Sequence, residues 1–303
     1  MTMRVATFAS SQQMIAAALK SQATMTAMQM QEASGVVSTD FGGYGSGAKQ
    51  IVNLQVSVAR AQTYIDTATQ AGSKIEVMYA SVNSIADLLS SFRSTLTAAS
   101  NTASTDSSSV IQSAQDALEQ MAALLNSKYG AQYLFGGART DTAPVDISSA
   151  TYPAATTPSS PDTSYYQGDD ELASARVSDT QTVTYGVTAD DPAFEQALRA
   201  MNLIANASSL SSDTLEEALD LVTSATDAIG TVQSRISNSA ASIERASTVQ
   251  SDYQSFAQSL ATDLTSVDVA AVTAALSTYQ AQLTASYSAI ATIQSLHLSN
   301  YLK

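Results

Sequence analysis

The stretch that decides the fold is residues 51–96, which reads IVNLQVSVARAQTYIDTATQAGSKIEVMYASVNSIADLLSSFRSTL. Apolar or small residues recur in it at alternating steps of three and four, the spacing of a coiled-coil seam, and only Arg93 departs from the pattern. The seam consists of Ile51, Leu54, Val58, Ala61, Ile65, Ala68, Gly72, Ile75, Tyr79, Val82, Ala86, Leu89 and Leu96. At about 1.5 Å per residue it predicts a helix roughly 70 Å long. A single helix of this kind is not stable alone, so it requires packing partners.

Two further seams supply these partners. The longer one lies in 215–264, and the shorter one lies in 110–124, after the Ser- and Thr-rich break NTASTDSSS at 101–109. Their members are Leu215, Ala218, Val222, Ala225, Ile229, Val232, Ile236, Ile243, Ala246, Tyr253, Leu260 and Leu264, and then Val110, Ala114, Ala117, Met121 and Leu124. Asp213, followed by Glu216 three residues later, is a candidate cap for the longer helix. The three seams predict a mainly α fold, a long antiparallel helical bundle or coiled-coil rod.

The middle of the chain has a different composition. Residues 131–190 are rich in Tyr, Gly, Pro and Thr, and they contain short alternations such as QTVTY at 181–185. This pattern predicts a small β-rich insertion with an acidic surface, inserted between the rod helices. Asp191-Pro192 then predicts the start of a helix, because Pro is favoured at the first helical position.

The distribution of charge is the most informative feature for function. The formal net charge is −14, which argues against nucleic acid and against an anionic membrane as partners. Residues 269–302 contain no Asp, Glu, Lys or Arg, and residues 1–31 contain only Arg4 and Lys20 as charged side chains. Helices exposed to water normally carry charges on their outer face, so these two ends are expected to be covered in the working state.

These observations predict five parts, in the order of the chain. They are an N-terminal assembly helix (1–40), the first rod helices (41–130), the β-rich outer insertion (131–190), the second rod helices (191–266) and a C-terminal assembly helix (267–303). The last boundary is placed where the longer seam loses phase, near Val267–Val269.

No catalytic, cofactor-binding or metal-binding residue is predicted. The chain has no Cys, and His297 is its only His, so thiolate chemistry and His-based triads are excluded. The stretch FGGYGSGAK at 41–49 has its Lys one place out for a phosphate-binding loop and lacks a following Ser or Thr, so it is interpreted as a hinge. An enzyme that uses Asp169 and Asp179 as acid and base is a weak alternative, because no nucleophile accompanies them.

Several stretches carry a resemblance to a known family. They are YGAQYLFGG at 129–137 followed by TDTAP at 140–144, then YQGD at 166–169, RVSD at 176–179 and QTV at 181–183, and finally SLHLSNYL at 295–302. In this order they resemble the flagellin superfamily, and within it particularly the hook-associated proteins at the junction between hook and filament. The likeness spans nearly the whole chain, although the Arg usual in the family's first linker is missing after Ser34-Gly35.

The resemblance implies a function and a location. It implies a structural subunit of the bacterial flagellum that is exported through a type III apparatus by an uncleaved N-terminal signal, with an export chaperone. Copies of itself and other axial proteins, namely hook-associated proteins and flagellin, are the implied partners. The termini are expected to pair as coiled coils, burying Phe8, Ile15, Leu19, Leu276, Leu283, Ile290, Ile293 and Tyr301. The alternatives are the filament subunit itself, flagellin, and a free-standing helical adhesin or spacer.

Overall fold

The computed structural model describes residues 2–101 and 107–295, and the side chains of 12–101 and 107–292. These residues form six α-helices: α1 (Thr2–Ser34), α2 (Ala48–Asn101), α3 (Ser107–Leu125), α4 (Pro192–Ala205), α5 (Ser212–Thr265) and α6 (Val269–Ser295). A 3₁₀ segment, Phe41–Gly47, precedes α2. Four short strands complete the described elements: β1 (Lys128–Tyr129), β2 (Gln132–Tyr133), β3 (Ser174–Arg176) and β4 (Thr182–Thr184). The predicted fold class, mainly α with a small β region, is confirmed.

Compactness divides the chain into two units. Met1–Ala59 together with Gln254–Lys303 form one, called the terminal unit here, and Arg60–Tyr253 form the other, called the central unit. The helices α2 and α5 have 54 residues each and contribute to both units. The longest predicted helix is therefore present, and it is longer at both ends than the seam that predicted it.

The central unit is held together by one apolar core. The α5 residues of the predicted seam from Leu215 to Ala246 are all buried in it, as are Val110, Ala114, Ala117 and Met121 of α3. Helix α4 packs against α3 and is buried on most of its surface. Because burial of one large aliphatic side chain is worth about 1.5–3 kcal/mol, this core is ample to stabilise long helices.

Between Ala68 and Leu96, the seam on α2 differs from the predicted one at three of the predicted positions. The observed stripe consists of Ala68, Ala71, Ile75, Met78, Val82, Ile85, Leu89, Phe92 and Leu96. The predicted alternates Gly72, Tyr79 and Ala86 lie one residue later, and Tyr79 is 41% exposed. Two seams of alternating three and four steps share every seventh residue, and the one with the larger apolar side chains is buried. This also explains why Arg93 was out of pattern, since Phe92 takes that place.

The helix starts follow capping chemistry. Asp191 caps α4 as predicted, with its carboxylate accepting a hydrogen bond of 3.1 Å from the backbone N–H of Ala193, and Pro192 begins the helix. The predicted cap of α5, Asp213, is wrong, because the helix begins at Ser212 and the backbone N–H of Thr214 donates to Ser211 Oγ at 3.1 Å. Ser is as good a cap as Asp, so Asp213 lies inside the first turn.

The segment between α3 and α4 contains little regular strand. The strands β1 and β2 pair antiparallel, as do β3 and β4, with Ala175 opposite Val183. Phe135, Tyr165 and Val187 of this segment are buried in the same core as the helices. The segment is thus a loop-rich layer that shares the core of the central unit.

Candidate assembly interface

The terminal unit carries no net charge. Its sequence holds four basic and four acidic residues, namely Arg4, Lys20, Lys49, Lys303, Glu32, Asp40, Asp263 and Asp268. The whole net charge of −14 therefore belongs to the central unit. A unit without net charge avoids the net like-charge repulsion that charged copies meet when they approach one another.

The terminal unit also leaves its apolar side chains uncovered. Among the described side chains, nine of the thirteen large hydrophobic ones that are exposed lie in it: Ile15, Leu19, Met30, Phe41, Val52, Val56, Phe256, Val269 and Tyr287. Where its side chains are described, the buried apolar residues are few, namely Ala18, Ile51, Ala257, Leu276 and Leu283. The unit thus has little core of its own, and exposed apolar surface concentrated in this way is typical of an interaction site.

The N- and C-terminal helices pack against each other within the chain. The C-terminal end of α1 is joined to the start of α6 through an antiparallel bridge between Val36 and Ser266, with hydrogen bonds of 2.8 Å from Val37 N to Thr265 O and 3.0 Å from Val267 N to Gly35 O. Gly35 permits the turn, because its φ of +70° is costly for other residues. The two helices therefore form an antiparallel pair.

Helix α1 has two distinct apolar faces. The inner face contains Ala18, which is 4% exposed, the half-buried Met25 and Met28, and Glu32, which accepts a 2.8 Å hydrogen bond from Thr273 of α6. The outer face, defined here as Ile15, Leu19, Thr26 and Met30, is exposed, with Leu19 and Met30 each at 59%. Both sets follow helical spacing, so one helix can contact α6 and a further surface at once.

Some of the predicted interface residues are buried in the α1–α6 pair and others are exposed on the outer face of α1. Leu276 and Leu283 of α6 are buried, at 8% and 9% exposure, whereas Ile15 and Leu19 lie on the outer face of α1. Ile290 is half-buried in α6. Phe8 and Ile293 belong to α1 and α6, but their side chains lie outside the described residues, as does the whole of Tyr301.

Other exposed residues of the terminal unit were not predicted. They are Met30, Phe41, Val52, Val56, Phe256 and Tyr287. A signal was present for Val52 and Val56, which lie four residues apart and so share a helix face beside the predicted seam. Phe41 offered no helical spacing that could have singled it out.

Two of the stretches that carried the resemblance contact each other in the central unit. Asp169 Oδ1 accepts hydrogen bonds from Ala138 N at 2.8 Å and Glu171 N at 3.1 Å, and Asp169 N donates to Gly136 O at 3.3 Å. Gly137 has a φ of +70°, and a Cβ on it would lie 2.2 Å from Asp169 Oδ1. The spacing of these motifs is therefore explained by one packed turn.

A third stretch, RVSD at 176–179, joins the β3–β4 hairpin to α2 by hydrogen bonds. The Asp179 carboxylate accepts hydrogen bonds from Tyr64 Oη at 2.8 Å and from Arg60 Nη1 at 3.1 Å. These two hydrogen bonds, that from Tyr64 first, lower the pKa of Asp179, and the bond to Asp179 raises the pKa of Tyr64. Asp169 and Asp179 thus serve as structural acceptors, which does not favour the acid–base alternative.

Within the described residues, no cluster of three or more His, Cys, Asp or Glu side chains could hold a metal ion. In the same residues, no helix combines the length and the apolar character needed to cross a bilayer.

Fold and surface together define a class: a long-helix protein whose N- and C-terminal helices pair, carry few charges and expose apolar side chains. The chain is similar in structure to a flagellar hook-associated protein from Vibrio parahaemolyticus, with a TM-score of 0.61 and 15% identity over 72% of this chain and 97% of that one. It is also similar to the flagellar junction protein FlgL from Legionella pneumophila, with a TM-score of 0.53 and 13% identity over 70% and 98% of the two chains. No protein-family model and no curated protein matches the sequence. At these identities the likeness establishes a shared fold.

Proposed function

We propose that this protein is a structural subunit of the bacterial flagellum that joins the hook to the filament by packing of its terminal helices. The observation that supports this proposal most is the terminal unit, which has no net charge and exposes nine large apolar side chains in the part that the structure describes. Exposure of this apolar surface to water is unfavourable, and contact with copies or neighbouring subunits removes the surface from water.

On this proposal, the predicted interface residues have separate tasks in the paired helices α1 and α6. Leu276 and Leu283 hold the pair together within one subunit, while Ile15 and Leu19 on the outer face of α1 contact the next subunit. Burial of apolar area at roughly 25 cal/mol per Å² drives this contact, offset by the ordering of the joined segments. The partners are copies of this chain and other axial proteins of the flagellum.

The assignment to the junction, and not to the filament, rests on two supports. The stretches at 129–144 and 166–183 resemble the junction proteins, and two of the similar structures are described as a flagellar hook-associated protein and a flagellar junction protein. The protein works outside the cell after type III export by an uncleaved signal, with the help of an export chaperone. The filament subunit itself is the alternative that the experiment must separate.

Deletion of the gene in the encoding organism tests the proposal, with electron microscopy of the cells and analysis of the medium. The junction role predicts hooks without filaments and filament protein shed into the medium, restored by the gene on a plasmid. The absence of filaments together with the absence of filament protein from the medium supports the filament subunit instead. A wild-type number of attached filaments contradicts both.

A further inference from the structure

The methionines of this chain are concentrated at its N-terminus. Six of the nine lie within the first 30 residues, and Met25, Met28 and Met30 occur within six positions of α1. In the central unit, Met78, Met121 and Met201 are buried in the core, with at most 2% exposure. The thioether is soft and adaptable, which suits a surface that must pack in more than one way.

The three clustered methionines lie on both faces of α1. Met25 and Met28 are half-buried on the inner face, which ends at Glu32 with its hydrogen bond to Thr273 of α6. Met30 belongs to the outer face and is 59% exposed. The same short segment therefore contributes to the α1–α6 pair and to the surface that, on the proposed function, contacts the next subunit.

We propose that Met25, Met28 and Met30 form an oxidation-sensitive site of the unassembled subunit, at which hydrogen peroxide makes methionine sulfoxide and thereby weakens both contacts. The thioether sulfur attacks one peroxide oxygen and the O–O bond breaks as the S–O bond forms. The other oxygen leaves as hydroxide, takes up the proton of the transferred oxygen and becomes water. Sulfur is oxidised by two electrons, peroxide is reduced, and a sulfoxide reductase reverses the change.

The consequence follows from polarity. A sulfoxide is a polar group, and burying it without a hydrogen-bond partner is unfavourable. On the inner face it opposes the packing of α1 on α6, and on the outer face it opposes burial against a neighbour. Assembly covers the outer face, so the unassembled subunit is the sensitive state. This second consequence rests on the proposed function, whereas the first does not.

The experiment treats the full-length protein with hydrogen peroxide and maps added oxygen by peptide mass spectrometry. Met30 is expected to react first, then Met25 and Met28, with Met78, Met121 and Met201 as internal controls that stay reduced. Amide hydrogen exchange at the α1–α6 joint, residues 18–34 and 269–283, is expected to accelerate about tenfold after oxidation. The triple variant M25L/M28L/M30L, which keeps the apolar volume, is expected to show no acceleration, and a sulfoxide reductase is expected to restore the wild-type rate.

Two results overturn the inference. One is oxidation of Met25 and Met28 no faster than that of Met78, and the other is unchanged exchange at the joint in the oxidised protein. Addition of reduced and oxidised protein to filament-less hooks is the second readout, and only the reduced form is expected to bind. If the reduced protein also fails to bind, the proposed function is wrong, while the exchange result still decides whether the site is sensitive to oxidation.

Discussion

The hydroxyl of Thr273 on α6 donates a 2.8 Å hydrogen bond to the carboxylate of Glu32 on α1, across 241 positions of sequence. Glu32 and Asp268 are among the few charged residues of the two terminal helices and the segment that joins them. Each accepts a hydrogen bond close to the point where α1 meets α6. Asp268 Oδ1 accepts from the backbone N–H of Ala271 at 3.1 Å and so caps α6. Two of the eight charged residues of the terminal unit thus lie where α1 and α6 meet, and the four residues that define the outer face of α1 are uncharged.

The corrected seam of α2 makes the first prediction. Met78→Ala is expected to lower the free energy of unfolding by about 2–5 kcal/mol, because it opens a cavity in the core of the central unit. Its neighbour supplies the control: Tyr79→Ala is expected to cost about 0.5 kcal/mol or less, since Tyr79 is exposed. Urea unfolding followed by circular dichroism measures both. Equal losses of unfolding free energy in the two variants would contradict the observed seam and support the one expected from the sequence, in which Tyr79 is buried.

The turn at Gly137 makes the second prediction. Gly137→Ala is expected to destabilise the central unit by more than Gly130→Ala, although both glycines have a positive φ. The conformational cost, roughly 1–2 kcal/mol, is common to the two, and only at Gly137 does the added Cβ meet the Asp169 carboxylate. Thermal unfolding of the two variants gives the comparison, and a larger loss for Gly130→Ala would contradict the packed turn.

The third prediction concerns the pH dependence of stability that Glu217 causes. Glu217 Oε1 accepts hydrogen bonds from Ser159 N at 2.7 Å and from Ser159 Oγ. Burial, the largest single influence, raises the pKa of Glu217. These hydrogen bonds, together with one from Thr157 and the positive charge of Arg199, outweigh burial, so the pKa of Glu217 in the folded protein lies below the ordinary value of 4.5. The stabilisation is therefore complete well above pH 4.5 and is lost as the pH falls through the lowered pKa.

Glu217→Gln is the matched variant for this effect, because it removes the titrating charge and keeps the shape. The difference in unfolding free energy between wild type and variant is expected to favour wild type at neutral pH and to shrink in acid. Unfolding curves from neutral pH to about pH 3 measure it. A difference that grows in acid would have the wrong sign and would contradict the lowered pKa.

The parts of the fold that were predicted are those fixed by local pattern. The α5 seam from Leu215 to Ala246 and the helix start at Asp191-Pro192 follow from hydrophobic spacing and capping. The α2 seam was shifted by one residue at Gly72, Tyr79 and Ala86 because two seams share every seventh residue. Only packing against the other helices decides, for example, between Met78 and Tyr79. The sequence around Met78 and Tyr79 does not indicate which of the two side chains is buried.

The candidate interface was predictable as a region and not in detail. The lack of charge at both ends is visible in the sequence, but the division of α1 into two faces depends on which side α6 covers. Ala18 and Met25 are covered, whereas Leu19, the more apolar choice beside Ala18, is exposed. The contact of Asp169 with Ala138 joins backbone and carboxylate across a loop, which no spacing rule specifies.

The fourth prediction concerns the outer face of α1. Ile15→Gln with Leu19→Gln is expected to leave the helix content and unfolding of the isolated protein unchanged, since both side chains are exposed. The same pair is expected to abolish joining, because two polar amides replace the apolar contact. Leu172→Gln is the control, an exposed leucine of the central unit.

The most direct measurement is a count of attached filaments, by electron microscopy, in the deletion strain carrying each of these variants. Export is monitored by the amount of each variant in the medium. We predict bare hooks with the Ile15→Gln/Leu19→Gln protein although it is exported, and normal filaments with Leu172→Gln. A normal number of filaments with the double variant would contradict the claim that the uncharged outer face of α1 is covered by a neighbouring subunit.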